Sequence, residues 1–134
     1  MGFEQEELAR TFILEFECER VDPARVEAVL DRMAADARYH VFAWEDPFVG
    51  RAAIRDELLR QAAFYSDGRF EIVHVASVGR TVFMERIDWV TMNGERARFH
   101  VVGVFEVDDH GKIASWRDYV DSREIAVKVK PTPD

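Results

Sequence analysis

The sequence predicts an α+β domain in which helices near the N-terminus pack on one face of a mainly antiparallel sheet. Apolar residues recur at helical spacing in the first half of the chain, and alternate with polar residues between short turn signals in the second half. The chain has 134 residues, 48% of them hydrophobic, with ten Phe and three Trp, which suits one compact core. Helices followed by a meander of strands are typical of this fold class.

The composition of the chain argues against binding to nucleic acids and to membranes. A formal charge of -8 without a basic run argues against nucleic acid binding. No apolar run reaches the roughly 20 residues that cross a bilayer, and the N-terminus is acidic where a secretory signal is basic, so we expect no membrane association and a cytoplasmic protein. Cys18, the only cysteine, is predicted on a helix as a small core residue rather than a nucleophile or metal ligand.

The first two helices are predicted from their apolar stripes. Leu8, Phe12 and Phe16 recur at four-residue spacing, which indicates a helix over residues 4–20. Asp22-Pro23 provides an N-cap and a favoured first position for a second helix, whose stripe runs to about Ala35. A single domain is expected over residues 1–127, with a polar, Pro-broken and flexible tail at 128–134.

A third helix and four strands follow an extended segment at residues 37–50. Helical spacing resumes at residues 51–65, and Ser66-Asp67-Gly68 is expected to end that helix. Asn93-Gly94 is a strong hairpin signal between two strands. Gly103, in mid-strand, suggests a bulge or a sharp bend that curls the sheet around a cavity. The predicted strands cover residues 69–79, 80–90, 96–107 and 112–121.

Three charged residues stand among apolar neighbours on these strands. Because side chains alternate along a strand, Arg86 and Asp88 share a face with Met84 and Val90. Asp118 is placed in the same way on the last strand. Two carboxylates close together in an apolar pocket acquire different proton affinities, so one can donate a proton while the other accepts. The alternative is a solvated or structural ion pair, although a buried triad without function costs stability.

These residues carry a resemblance to a known family. The segments "ERID", "GVF" and "GKIASWRDYVDSRE" resemble the limonene-1,2-epoxide hydrolase family, which has the nuclear transport factor 2-like (SnoaL or ketosteroid isomerase-like) fold. The similarity is strongest over residues 82–124. It implies a cystatin-like α+β roll, a strongly curved sheet forming a cone with an apolar pocket. It also implies catalysis without cofactor or metal.

The resemblance further implies catalytic roles. Asp88 corresponds to the general acid toward the epoxide oxygen, Asp118 to the base that activates water, and Arg86 to the bridge between them. Tyr39 corresponds to a water-holding residue. Where the family has a second such residue, an Asn, this chain has Val41. We expect either that Val41 leaves the water with one partner fewer or that a bulge turns His40 inward to replace it.

The remaining pocket residues follow from the faces of the strands. Together with His40 and Val41, the substrate-binding residues are expected to be Val90, Phe99, Val101, Trp116 and Val120, which fit a small apolar epoxide or a similar molecule. Phe83, Ile87 and Trp89 lie on the opposite face, which is apolar enough to require a cover. A helix would serve as one, but the resemblance favours a homodimer through this sheet face.

Other functions stay open on this fold. A ketosteroid isomerase-like or polyketide cyclase-like enzyme would need one carboxylate base and a donor to an oxyanion, which Asp118 and Tyr39 or His40 could provide. A non-catalytic module for ligand binding or dimerisation is the third alternative, since a fold does not determine a function. His74 and His100 lie on separate predicted strands, and their spacing does not suggest a metal site.

Overall fold

The computed structural model describes residues 2–121 and 123–124. These residues form three helices and six strands, which turns and loops connect. The helices are α1 (Phe3–Leu14), α2 (Pro23–Asp31) and α3 (Arg51–Ala62). The strands are β1 (Met33–His40), β2 (Phe48–Val49), β3 (Tyr65–Val78), β4 (Thr81–Met92), β5 (Glu95–Val107) and β6 (Ile113–Val120). No described helix is long and apolar enough to cross a membrane. The predicted tail at 128–134 lies outside the described residues.

The strands form one mixed sheet in the order β2-β1-β6-β5-β4-β3. The four strands expected from alternation form its antiparallel part, and β1 adds to it parallel to β6. The hairpin at Asn93-Gly94 is confirmed, since both residues have positive φ angles, 51° and 82°, as a tight hairpin turn requires. Helices on one face of this sheet confirm the predicted fold class.

The core lies between the sheet and the helices. Phe12 and Ile13 from α1, Leu30 from α2 and Ile54 from α3 are almost fully buried against the sheet. The N-terminus of α2 forms as predicted, because the side chain of Asp22 accepts a hydrogen bond from the backbone of Arg25.

The first two predicted helices are too long. α1 ends at Leu14 rather than at residue 20, because the following segment pairs with strand β3: the backbone N–H groups of Asp67 and Gly68 donate to the carbonyls of Glu19 and Cys18 at 2.7 and 3.0 Å. Cys18 therefore lies in a loop, not on a helix. α2 ends at Asp31, since Met33 already pairs with Ile113 of β6.

Two predictions about the sheet were also wrong. Ser66-Asp67-Gly68 does not end α3, which stops at Ala62, but forms a bulge in β3, where Asp67 has a positive φ of 52°. Of the two alternatives for Gly103, the bulge is wrong, because β5 pairs regularly with both neighbours there, and the sharp bend stays a prediction. Register shifts mark bulges in β3 at residues 67–68 and at Val73. The register also shifts between Met33 and Arg38 of β1 and between Glu106 and Val107 of β5.

Candidate active site

A largely apolar cavity of about 340 Å³ lies between the helices and the sheet. α1, the segment after it and α3 close it on one side, and β1, β3, β4, β5 and β6 form its floor. A cavity of this size and character suits a small apolar ligand. It contains six of the seven substrate-binding residues named from the sequence: Val41, Val90, Phe99, Val101, Trp116 and Val120.

His40 is the exception among these residues. It does not line the cavity, and its Nδ1 lies 2.8 Å from the backbone oxygen of Glu45. The neighbouring Tyr39 is 3% exposed and does line the cavity, because successive residues of a strand point to opposite faces. The expectation that His40 contributes to the substrate site is therefore corrected.

Arg86 connects the two carboxylates expected from the sequence. Its Nε and Nη2 lie 2.7 and 3.1 Å from the two oxygens of Asp88, and its Nη2 lies 2.9 Å from Oδ2 of Asp118. Arg86 is 2% exposed, and the side chains of Asp88 and Asp118 are 13% and 14% exposed. All three residues line the cavity. The structure thus places two hydrogen-bonded carboxylates and one guanidinium at the wall of an apolar pocket.

The side chain of Arg86 reaches Asp118 by crossing strand β5 at Gly103. Met84, Gly103 and Asp118 are register partners across β4, β5 and β6, whereas Arg86 pairs with Val101. A Cβ at position 103 would overlap Nη1 of Arg86 and would lie 3.1 Å from Oδ1 of Asp118. Glycine is therefore required by the close approach of the guanidinium, a role that its position in the sequence did not reveal.

Aromatic packing fixes the second carboxylate. Nε1 of Trp116 lies 3.0 Å from Oδ1 of Asp118 and donates a hydrogen bond to it. The indole stacks on the ring of Tyr39, with centroids 4.2 Å apart and planes at 12°. Each oxygen of Asp118 thus accepts one hydrogen bond from the protein, from Trp116 or from Arg86, which leaves further lone pairs to accept a proton from a bound molecule.

Burial changes the protonation of this group of charges. It raises the pKa of Asp88 to about 6, with a contribution from the negative charge of Asp118 and against the opposing effect of Arg86. With both carboxylates ionised, the triad would carry one excess negative charge. Burial alone would lower the pKa of Arg86, but the two carboxylates outweigh it and raise that pKa. With a pKa of about 6, a fraction of Asp88 is protonated near neutral pH.

A polar cluster on α3, which sequence reasoning missed, contacts Tyr39. Nε2 of Gln61 lies 3.2 Å from the hydroxyl of Tyr39 and 2.8 Å from Oε2 of Glu57. Glu57 is 4% exposed, and Arg60 donates to both of its oxygens. The sequence carried a signal, because Glu57 and Gln61 lie three residues after the core positions Ile54 and Leu58, on the buried stripe of the helix.

The other candidate groups lie apart from the triad or do not cluster. His74 and His100 are exposed and pair with Glu85 and Glu124. Within residues 2–121 and 123–124, no three His, Cys, Asp or Glu side chains come together as metal ligands. Cys18 lines the cavity, and burial raises the pKa of its thiol, which disfavours the reactive thiolate.

The fold agrees with comparisons to known proteins. A profile of the SnoaL-like domain family matches residues 16–116, which is most of the chain, and the protein belongs to this family. Epoxide hydrolase EphG of Mycobacterium tuberculosis is 45% identical over 51 residues, or 38% of this chain and 34% of that protein. The matched part thus spans about a third of the length of this curated relative.

Solved structures extend the likeness to nearly the whole chain. An LEH-like epoxide hydrolase of M. tuberculosis superposes with a TM-score of 0.75 at 24% identity, covering 96% of this chain and 97% of that one. The epoxide hydrolase/cyclase-like enzyme SalBIII, described in pyran ring formation in the polyether salinomycin, gives 0.78 at 20% identity over 92% and 97%. At these identities the superpositions show the fold, which is the nuclear transport factor 2-like fold expected from the sequence.

Proposed function

We propose that this protein is a cofactor-independent epoxide hydrolase of the limonene-1,2-epoxide hydrolase type, acting on a small apolar epoxide. The observation that carries the proposal is the bridge from Arg86 to both Asp88 and Asp118 at the wall of an apolar cavity. The raised pKa of Asp88 supports its role as the proton donor, which leaves the carboxylate on β6 for the role of base. EphG supports the class of reaction.

The proposed reaction takes place in one step. Asp118 accepts a proton from a water molecule, whose oxygen attacks one epoxide carbon. The bond between that carbon and the epoxide oxygen breaks, and Asp88 donates its proton to that oxygen, so that a diol forms. Arg86 stays charged and offsets the negative charge of whichever carboxylate is ionised. The site returns to its starting state when a proton leaves Asp118 and another returns to Asp88.

A panel of terpene and alkene oxides tests this function. We expect diol formation from at least one oxide, and incorporation of one oxygen atom from labelled water. Turnover of a carbonyl substrate with double-bond migration, without diol from any oxide, would instead support an isomerase or cyclase. That second candidate is favoured by the likeness to SalBIII and by a buried carboxylate beside Tyr39. Binding of oxides without turnover would indicate a ligand-binding module.

We also propose that two copies of the chain associate through the outer face of the sheet. Phe83, Val102 and Tyr119 are 41%, 39% and 49% exposed on this face, and Ile87 and Trp89 are half-buried. The described helices contact the other face, so they leave this one open. Burying these apolar side chains against a second copy would remove the exposed area from water.

A further inference from the structure

The buried carboxylate of Glu57 on α3, which pairs with the exposed Arg60, determines how the amide of Gln61 is oriented. Glu57 accepts hydrogen bonds from Nε and Nη2 of Arg60 at 2.7 and 2.8 Å. These bonds are the main reason that the pKa of Glu57 is lowered, so its carboxylate is ionised and accepts hydrogen bonds only. Gln61 must therefore present its NH₂ group, and not its carbonyl, to Oε2 of Glu57 at 2.8 Å.

The same NH₂ group determines the role of Tyr39. Its nitrogen lies 3.2 Å from the hydroxyl oxygen of Tyr39, and its second hydrogen is directed there, so this oxygen accepts a hydrogen bond from Gln61. The proton of Tyr39 must then point away from Gln61. Among residues 2–121 and 123–124, no group accepts that proton. Stacking on Trp116 keeps the ring at the wall of the cavity.

We infer that Glu57 and Gln61 are positioning residues that hold the hydroxyl of Tyr39 as a hydrogen-bond donor toward the cavity. In a molecule bound in the cavity, the group that accepts this hydrogen bond is then an oxygen with a free lone pair. Water, an ether and a carbonyl compound each have such an oxygen. In the proposed hydrolysis, on which this part of the inference rests, Tyr39 donates to a lone pair of the attacking water while that water donates to Asp118. This orientation leaves the second lone pair of the water free to attack.

A pair of ligands that differ in one acceptor atom tests the orientation without turnover. Cyclohexanone and methylenecyclohexane have similar shapes, but only the ketone accepts a hydrogen bond. Calorimetric titration at about pH 8 excludes two other donors to the ketone. Asp88 is ionised at this pH, since its pKa is about 6, and Nη1 of Arg86 is buried. We expect the wild type to bind the ketone about fivefold more tightly, which corresponds to one hydrogen bond of about 1 kcal/mol. Tyr39→Phe should abolish this preference.

Variants of the α3 cluster decide the inference. Gln61→Met and Glu57→Gln should each reduce the ketone preference to about twofold or less, because neither fixes the direction of the Tyr39 hydroxyl. Arg55 lies on α3 as well, and Arg55→Met removes its exposed ion pair with Glu27 of α2. This variant should keep the full preference. A wild-type preference in both Gln61→Met and Glu57→Gln would overturn the inference, as would equal affinity of the wild type for the two ligands.

Rates on an active epoxide provide a second readout. Tyr39→Phe should lower kcat about tenfold and Gln61→Met about threefold, with KM nearly unchanged. The double variant should be no slower than Tyr39→Phe, because both changes remove the same contact; additive losses would contradict the inference. If no epoxide is turned over, the proposed function fails, and the ketone comparison still decides the orientation of Tyr39.

Discussion

The guanidinium of Arg86 lies directly over Gly103, at a point of the sheet where any side chain would overlap it. The reason is topological. Asp118 is two strands away from Arg86, so the side chain has to cross β5 to reach it, and the register places Gly103 beside Asp118. A glycine at this position is therefore part of the site, although it contributes no functional group.

Gly103→Ala tests this relationship. The new methyl group would force Arg86 away from Asp118 and would also crowd the ring of Phe105, which lies 3.0 Å from the position of the Cβ. We expect the free energy of unfolding to fall by about 1–3 kcal/mol and kcat/KM to fall at least tenfold. Glu106→Ala, an exposed position of the same strand, should change the unfolding free energy by less than about 1 kcal/mol. Full activity of Gly103→Ala would show that Arg86 does not need this path.

The charged residues should act as one unit. Asp118→Asn removes the proposed base while keeping its hydrogen bond to Arg86, so we expect kcat to fall by about a thousandfold with little loss of helical signal in circular dichroism. Asp121→Asn, at the exposed end of β6, is the matched control and should leave the rate unchanged. Near wild-type turnover by Asp118→Asn would rule out the proposed mechanism.

The pH dependence follows from the raised pKa of Asp88. A general acid is active when it is protonated. The titration of Asp88 should therefore leave kcat/KM independent of pH below the pKa of Asp88 and make it decline with pH above that pKa. With a pKa of about 6, the decline should approach tenfold per pH unit by about pH 7. Initial rates on the best epoxide between about pH 5 and 9 measure the profile. A rate that is constant or rises across this range would assign the acid to a different group.

Val41 should limit the rate of the proposed reaction. His40 is hydrogen-bonded to the backbone oxygen of Glu45 and lies outside the cavity. The structure therefore favours the alternative in which the attacking water lacks one hydrogen-bond partner, and not the one in which His40 replaces that partner. Val41→Asn should therefore raise kcat by up to about tenfold, and His40→Ala should have little effect. A large loss in His40→Ala would show that this strand rearranges when substrate binds. If neither change alters the rate, this strand does not position the water.

Association through the outer face of the sheet can be measured by sedimentation. At micromolar concentration the wild type should have about twice the mass of the 15.5 kDa chain. Trp89→Asp should shift it to a monomer or an aggregate, because a small charged group would replace apolar area that the second copy covers. Trp44→Asp alters an exposed tryptophan in the loop after β1 and should keep the dimer. A well-behaved wild-type monomer at high concentration would exclude this proposal.

The sequence predicted the faces of the strands better than the ends of the helices. Alternation along β4 was enough to place Arg86 and Asp88 on one face, and alternation along β6 set Asp118 among apolar neighbours in the same way. That the two strands turn these faces to one cavity was only a condition of the prediction, and the register of β4, β5 and β6 fulfils it. The ends of α1 and α2 were misplaced, since Phe16 and Met33 continue a helical spacing that tertiary contacts interrupt. Pairing with β3 and β6 satisfies those backbone groups outside the helix.

By itself, the sequence determined the fold class, the cavity-facing strand residues and the residue types of the charged triad, because these depend on local periodicity and turn chemistry. Only the tertiary structure decided that Gly103 makes room for Arg86, that His40 is excluded from the cavity and that Glu57 and Gln61 reach Tyr39. Each of these depends on which atoms distant segments bring within contact distance. Strand register and the docking of α3 determine such distances, and no local pattern of residues encodes them.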